Sequence, residues 1–142
     1  MDARELTPTY HVTPQIDPAD AGAIAEAGYT LVICNRPDAE NPPSHQADAM
    51  RAALEAEGLR FEVLPLTHQT MTPENVARQK ALMDGAEGKV LAYCASGTRS
   101  SVVWALGQAP ERDVDEILGA CGRAGYALEA LRPALNDLSQ RG

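Results

Sequence analysis

One stretch constrains this chain more than any other: KVLAYCASGTRSSVVWAL, from Lys89 to Leu106. Val90 to Tyr93 is a short apolar run of strand character, and Ser100 to Leu106 has the length and composition of a helix. The six residues from Cys94 to Arg99 therefore read as a strand-to-helix turn. Ser96 and Gly97 are small enough to let successive backbone N–H groups turn inward, where the free N–H groups and dipole of the following helix also point. Such a loop is a cradle for an anion. A cysteine at its rim, with the Arg99 guanidinium at the far end, is expected to favour the thiolate at neutral pH and to act as a nucleophile. A plainer account uses the same residues: a cysteine closing a buried strand is commonly a small apolar side chain, and Ser-Gly-Thr is ordinary turn composition. Arg99, at its fixed offset from Cys94, favours the nucleophile.

The rest of the chain supplies strands and helices in alternation. Asp17-Pro18 has the form of an N-cap and first helical residue, opening an Ala-rich helix that ends near Gly28. Tyr29 to Cys34 is an apolar, β-branched strand, and the polar segment Asn35-Arg36-Pro37-Asp38 stops it. A helix capped by Ser44 follows to about Glu57, then a strand over Phe61 to Leu66, and a third helix from Thr72-Pro73 to about Met83. After the cysteine turn, two more helices are expected, over Asp113 to Arg123 and Leu128 to Leu138. This β-α order predicts an α/β fold with a central, mostly parallel sheet and helices on both faces. Ligands of such sheets sit beyond the carboxyl ends of the strands. Three polar loops leave those ends: Asn35 to Glu40, Thr67 to Thr70, and Cys94 to Arg99.

Composition narrows the partners. The 142 residues suffice for one domain, with a core over about 10–138. Twenty acidic residues against twelve basic ones give a net charge of −8, which argues against nucleic acid or an anionic membrane as a partner. No apolar run approaches the ~20 residues of a membrane span, and MDARELTPTY lacks the basic-then-apolar order of a secretory leader, so a soluble, cytoplasmic protein is expected. Cys34, Cys94 and Cys121 are unpaired in spacing, and His11, His45 and His68 are scattered. Neither a disulfide framework, a metal site nor a cofactor is expected.

The segment CASGTRS resembles the active loop of single-domain rhodaneses, sulfurtransferases in which Cys is followed by four residues and then Arg. Over Val12 to Leu138 the chain resembles the phosphatase-like domain of the beta-lactamase-hydrolase-like (Blh) family, linked both to phosphatase-like and to sulfurtransferase activity. QIDP (Gln15 to Pro18), AGYTLVICNRPDAE (Ala27 to Glu40), LAYCASGTRS (Leu91 to Ser100), Trp104-Ala105-Leu106 and AGY (Ala124 to Tyr126) carry the likeness. It implies a fold like that of small dual-specificity phosphatases with a cysteine loop of rhodanese length. It also implies an analogous partner, a persulfide dioxygenase, to which such domains can be fused.

Two departures from protein tyrosine phosphatases bear on the chemistry. Those enzymes place five residues between Cys and Arg, whereas Cys94 and Arg99 have four between them. A smaller ring of donors suits a persulfide sulfur or a thiosulfonate better than a tetrahedral phosphate. They also use an Asp from a neighbouring loop to protonate the leaving alkoxide, and the segment between Leu66 and Met71 has no Asp or Glu. The candidates for that task are His68, otherwise an ordinary exposed histidine, and Asp38 or Glu40, otherwise caps and turn residues. Sulfite leaves thiosulfate without such an acid.

The expected reaction is therefore sulfur transfer. Cys94 takes a sulfur from a small anionic donor, thiosulfate or a persulfide, and its persulfide passes that sulfur to a thiol or cyanide acceptor. Arg99 and the amides of Ala95, Ser96, Gly97 and Thr98 hold the anion. Ser100 either eases departure of the thiolate or caps the helix. Arg36 either anchors its turn, through Asp38 or a helix end, or serves as a second guanidinium for the substrate. Cys34 is either a resolving cysteine or buried filling, and Cys121 is read as core. The alternatives are a cysteine-dependent phosphatase working on a phosphoester through a phosphocysteine, and a non-catalytic module that binds an anion or a persulfide.

Overall fold

The computed structural model describes residues 1–141. Strands β1 (Arg4–Thr7) and β2 (Tyr10–Thr13) form an antiparallel hairpin in which Thr7 Oγ1 accepts the N–H groups of Thr9 and Tyr10 at 3.2 and 3.0 Å. The sequence alone does not reveal this hairpin. With Leu6 its one buried residue, β1 carries too little alternation to be read alone.

A capping box at Asp17 and Asp20 starts the 3-10 turn Pro18–Asp20, which leads into helix α1 (Ala21–Glu26). There follow β3 (Tyr29–Cys34), α2 (Ala47–Ala56), β4 (Arg60–Val63), α3 (Pro73–Asp84), β5 (Lys89–Tyr93), α4 (Thr98–Gln108), α5 (Val114–Arg123) and α6 (Arg132–Arg141). Thr72 caps α3 as expected, its hydroxyl accepting from the Asn75 N–H at 3.3 Å. Ser44 does not cap α2. It lies in a 3-10 turn, Pro43–His45, and bonds His45 Nδ1 at 2.8 Å, while the Ala47 N–H is taken by Asp38 Oδ1 at 2.8 Å. The last helix also starts later than expected, after a 3-10 turn over Glu129–Leu131.

The strand order is β1-β2-β5-β3-β4, and every pair except β1–β2 is parallel. Alternation along the strands divides the core. Leu31, Ile33, Val90 and Ala92 face one way and pack against helices α3 to α6, while Val32, Cys34, Leu91 and Tyr93 face α1 and α2. Helix α4 lies deepest. Its Trp104 is 2 % exposed and stacks on Tyr10 with ring centroids 6.3 Å apart, a burial contributing about 2–3 kcal/mol. Among the described residues no helix is long and apolar enough to cross a membrane.

Register decides where the loops meet. Thr13 and Cys34 both pair with Tyr93, and Cys34 also pairs with Val63, so four strands end at one level. The loops leaving them open on one edge of the sheet, with the central strand β5 delivering Cys94.

Candidate active site

The cradle is built by tying carbonyls outward. Ala95 O accepts the Gln15 N–H at 3.2 Å, and Ser96 O accepts the Tyr126 hydroxyl at 2.9 Å. Among the described residues every peptide is trans, so the amides that follow those carbonyls face the opposite way, into the loop. The Gly97 N–H donates to Cys94 Sγ at 3.1 Å. Gly97 has φ +95°, and a Cβ there would run into the Tyr126 hydroxyl, so both the backbone and the space require glycine. Thr98 begins α4, and its hydroxyl accepts from Ser96 Oγ at 2.9 Å. Cys94 is 1 % exposed, under exposed Ala95, Ser96 and Thr98.

Arg99 reaches over the same loop, close enough to Cys94 for the sulfur to reinforce its basicity after the larger effect of Glu40. Its Nη1 and Nη2 donate to the two carboxylate oxygens of Glu40 at 2.9 and 2.7 Å, and Nη1 also donates to Leu66 O at 2.9 Å. Hydrogen bonds from Arg99 are the largest cause holding the Glu40 carboxyl below its ordinary range, and Arg36 adds to them. Arg36 donates to Glu40 Oε1 and Glu40 O at 3.3 and 3.0 Å and to Gln15 Oε1 at 3.2 Å. It thus anchors its own loop, through Glu40 rather than through Asp38. Gln15, which also accepts from Asn41 Nδ2 at 3.1 Å, joins the loop after β2 to the loops after β3 and β5.

The acid candidates separate. Asp38 is engaged in capping α2, and Glu40 is held as a carboxylate between two arginines. His68 is exposed on the Thr67–Thr70 turn, and no hydrogen bond or ion pair joins it to Cys94. Ser100 does not cap α4: it is the third residue of that helix, and its hydroxyl, fully buried, donates to Asn35 Oδ1 at 2.8 Å. Asn35 in turn bonds Leu64 O and Gln79, and Gln79 reaches the Tyr10 hydroxyl, which donates to Ser100 O at 2.8 Å. This closed polar network beneath the loop holds β3, β4, α3 and α4 in register.

Cys34 donates to Arg36 O at 3.3 Å, and burial pushes its thiol up. Cys121 lies in the core, where burial pushes its thiol to about 11. Among the described residues no three His, Cys, Asp or Glu side chains gather closely enough to ligate a metal. An apolar groove of 430 Å³ against Met71, Val76, Leu106 and Leu138 includes no residue of the cysteine loop.

Gln15, Glu40 as the clamp on Arg99, Asn35, Gln79 and Tyr126 were not assigned site roles from the sequence. QIDP and AGY stood out only as segments, because each of these partners is distant in sequence from what it holds.

The fold and loop define a phosphatase-like protein of cysteine type. A candidate phosphatase from Neisseria meningitidis Z2491 superposes with a TM-score of 0.86 at 34 % identity, covering 97 % of this chain and 99 % of that one. Tk-PTP in its active form superposes at 0.73 with 18 % identity, covering 99 % and 98 % of the two chains, and P. aeruginosa TpbA in complex with pTyr at 0.62 with 16 %, covering 99 % and 91 %. These last two show the fold. Residues 2–111 match the family described as beta-lactamase hydrolase-like protein, phosphatase-like domain, and the chain belongs to that family. A beta-lactamase hydrolase-like protein of Xylella fastidiosa (strain Temecula1 / ATCC 700964) is 33 % identical over 99 residues, 67 % of this chain. One from Agrobacterium fabrum (strain C58 / ATCC 33970) is 31 % identical over 91 residues, 64 % of this chain. The match spans 23 % and 21 % of those relatives' lengths.

Proposed function

We propose that this protein is a cysteine-dependent phosphatase that works through a phosphocysteine on Cys94. The observation that carries the reading is the Gly97 N–H donating to Cys94 Sγ at 3.1 Å beneath the Arg99 guanidinium, on a phosphatase-like fold. The thiolate attacks phosphorus as the bond to the leaving oxygen breaks, and the electron pair departs with that oxygen. Water then attacks phosphorus, releasing inorganic phosphate and restoring the thiolate, its proton passing to solvent. The inward amides and Arg99 balance the charge on the equatorial oxygens.

No carboxylic acid stands ready to protonate the leaving oxygen, since Asp38 caps α2 and Glu40 is paired. The preferred substrates are then esters of acidic alcohols, aryl phosphates above all, because a phenolate leaves without help more readily than an alkoxide. The pTyr bound by TpbA belongs to that class.

The four-residue spacing and the engaged acids favour a second reading, sulfur transfer. Cys94 thiolate attacks the outer sulfur of thiosulfate, the S–S bond breaks, sulfite leaves with the electron pair, and a thiol acceptor later takes the sulfur from the Cys94 persulfide.

One pair of assays separates the two. Turnover of an aryl phosphate by the wild type, absent from Cys94→Ser, with no mass gain on exposure to thiosulfate, supports the phosphatase. An added sulfur on Cys94 that cyanide removes, without phosphate release, overturns it in favour of the transferase.

A further inference from the structure

The Ser96–Gly97 peptide is held from both sides. Its carbonyl accepts the Tyr126 hydroxyl at 2.9 Å, and its N–H donates to Cys94 Sγ at 3.1 Å. In a trans peptide these two groups point in opposite directions, so fixing the carbonyl fixes the amide. A glycine in this position is otherwise free to rotate the peptide and turn the N–H away from the sulfur. Tyr126 comes from the link between α5 and α6, far in sequence from the loop, and is itself held. The Arg4 guanidinium of β1 lies 5.1 Å from the centroid of its ring and donates to Ala124 O at 3.3 Å.

We infer that Tyr126, steadied by Arg4, is a positioning residue that sets the reactivity of Cys94 by orienting the Ser96–Gly97 peptide. The inference rests on Cys94 as the nucleophile, not on the identity of the substrate. Burial, the largest influence on the Tyr126 phenol, pushes it up, so the hydroxyl stays protonated and able to donate across neutral pH. With the hydroxyl gone, the Ser96 carbonyl is free to turn inward, where it would present a partial negative charge to the thiolate and to any bound anion. The edge hairpin and the C-terminal helices, which contribute no residue to the cysteine loop, thereby act on the chemistry at the centre of the sheet.

The test is the rate of Cys94 alkylation by iodoacetamide between pH 5 and pH 9, followed by intact mass in the wild type, Tyr126→Phe and Arg4→Met, with Cys94→Ser as the blank. The loss of one net hydrogen bond corresponds to about a fivefold slower reaction at pH 7 for Tyr126→Phe. Its pH profile is displaced to higher pH while circular dichroism and melting stay near those of the wild type. Arg4→Met, which keeps the hydroxyl, gives a smaller change in the same direction. Profiles that superpose on the wild type in both variants, or slowing that appears only with loss of the folded spectrum, overturn the inference. Protection of Cys94 by inorganic phosphate, measured in the same series, bears on the phosphatase reading alone. Without it that reading falls, and the role of Tyr126 is still decided by the profiles.

Discussion

Glu40 is the residue on which the guanidinium geometry turns. Its two oxygens fill Nη1 and Nη2 of Arg99, and bidentate, charge-assisted pairing of this kind fixes both the direction and the plane of a guanidinium. Glu40→Gln keeps the shape and removes the charge. Its kcat/KM for an aryl phosphate is expected to fall about tenfold, or ~1.4 kcal/mol of transition-state stabilisation, because Arg99 no longer holds one direction. Steady-state kinetics check this, and an unchanged value would show that the pair is incidental. The pH dependence has a definite sign. The Glu40 carboxyl is depressed below its ordinary value of 4.5. The pair therefore contributes stability fully above that value and loses it as pH falls through the lower, folded one. The difference in Tm between wild type and Glu40→Gln should stay constant from pH 7 to about 5 and close below that.

Among the elements, the β1–β2 hairpin has the clearest signature of its own. His11 on β2 bonds the Tyr29 hydroxyl through Nδ1 at 2.8 Å, and its Nε2 lies 3.6 Å from Glu5 Oε1 on β1. Burial is the largest cause lowering its basicity, opposed by Glu5 and helped by Lys89. A histidine lowered on folding binds its proton more weakly in the folded chain than in the unfolded one. Stability from this site is then complete above about 6.5 and declines as pH drops through the window beneath it. Thermal melts should show the wild type losing more between pH 7 and pH 5 than His11→Gln does, and parallel losses would remove His11 as the cause. Because β1 carries Arg4, loosening of this hairpin at low pH would also reach Tyr126.

For the whole molecule, the charge of −8 sets a long-range field against the anionic substrate proposed here. The two site guanidinium groups are themselves partly neutralised by Glu40, which leaves little to reverse that field at a distance. Raising ionic strength from about 0.02 M to 0.2 M shortens the range of the repulsion, so kcat/KM for a dianionic aryl phosphate is expected to rise two- to threefold. A steep fall with salt would mean that a local positive potential governs capture instead.

The α/β class, the mostly parallel sheet and the strand-turn-helix around Cys94 were legible because each is local. Alternation and capping act within a few residues, and the offsets from Cys94 to Arg99 lie in one loop. Hairpin strand β1 was not legible, and α2 was expected two residues too early, since its first N–H is satisfied by Asp38 from nine residues away. The same limit applied to the site. Sequence spacing left Asp38 and Glu40 open as acids or as cap and turn residues, His68 as an acid or an exposed loop histidine, and Arg36 as a turn anchor or a second anion ligand, whereas packing gave Asp38 to a helix end, Glu40 to two arginines, and Arg36 to its own loop. Which residues can form an anion cradle is written into one short stretch of chain. Which way its peptides face, and which charges are already paired, is settled by packing, because Gln15, Glu40 and Tyr126 reach their partners across the fold and not along the chain.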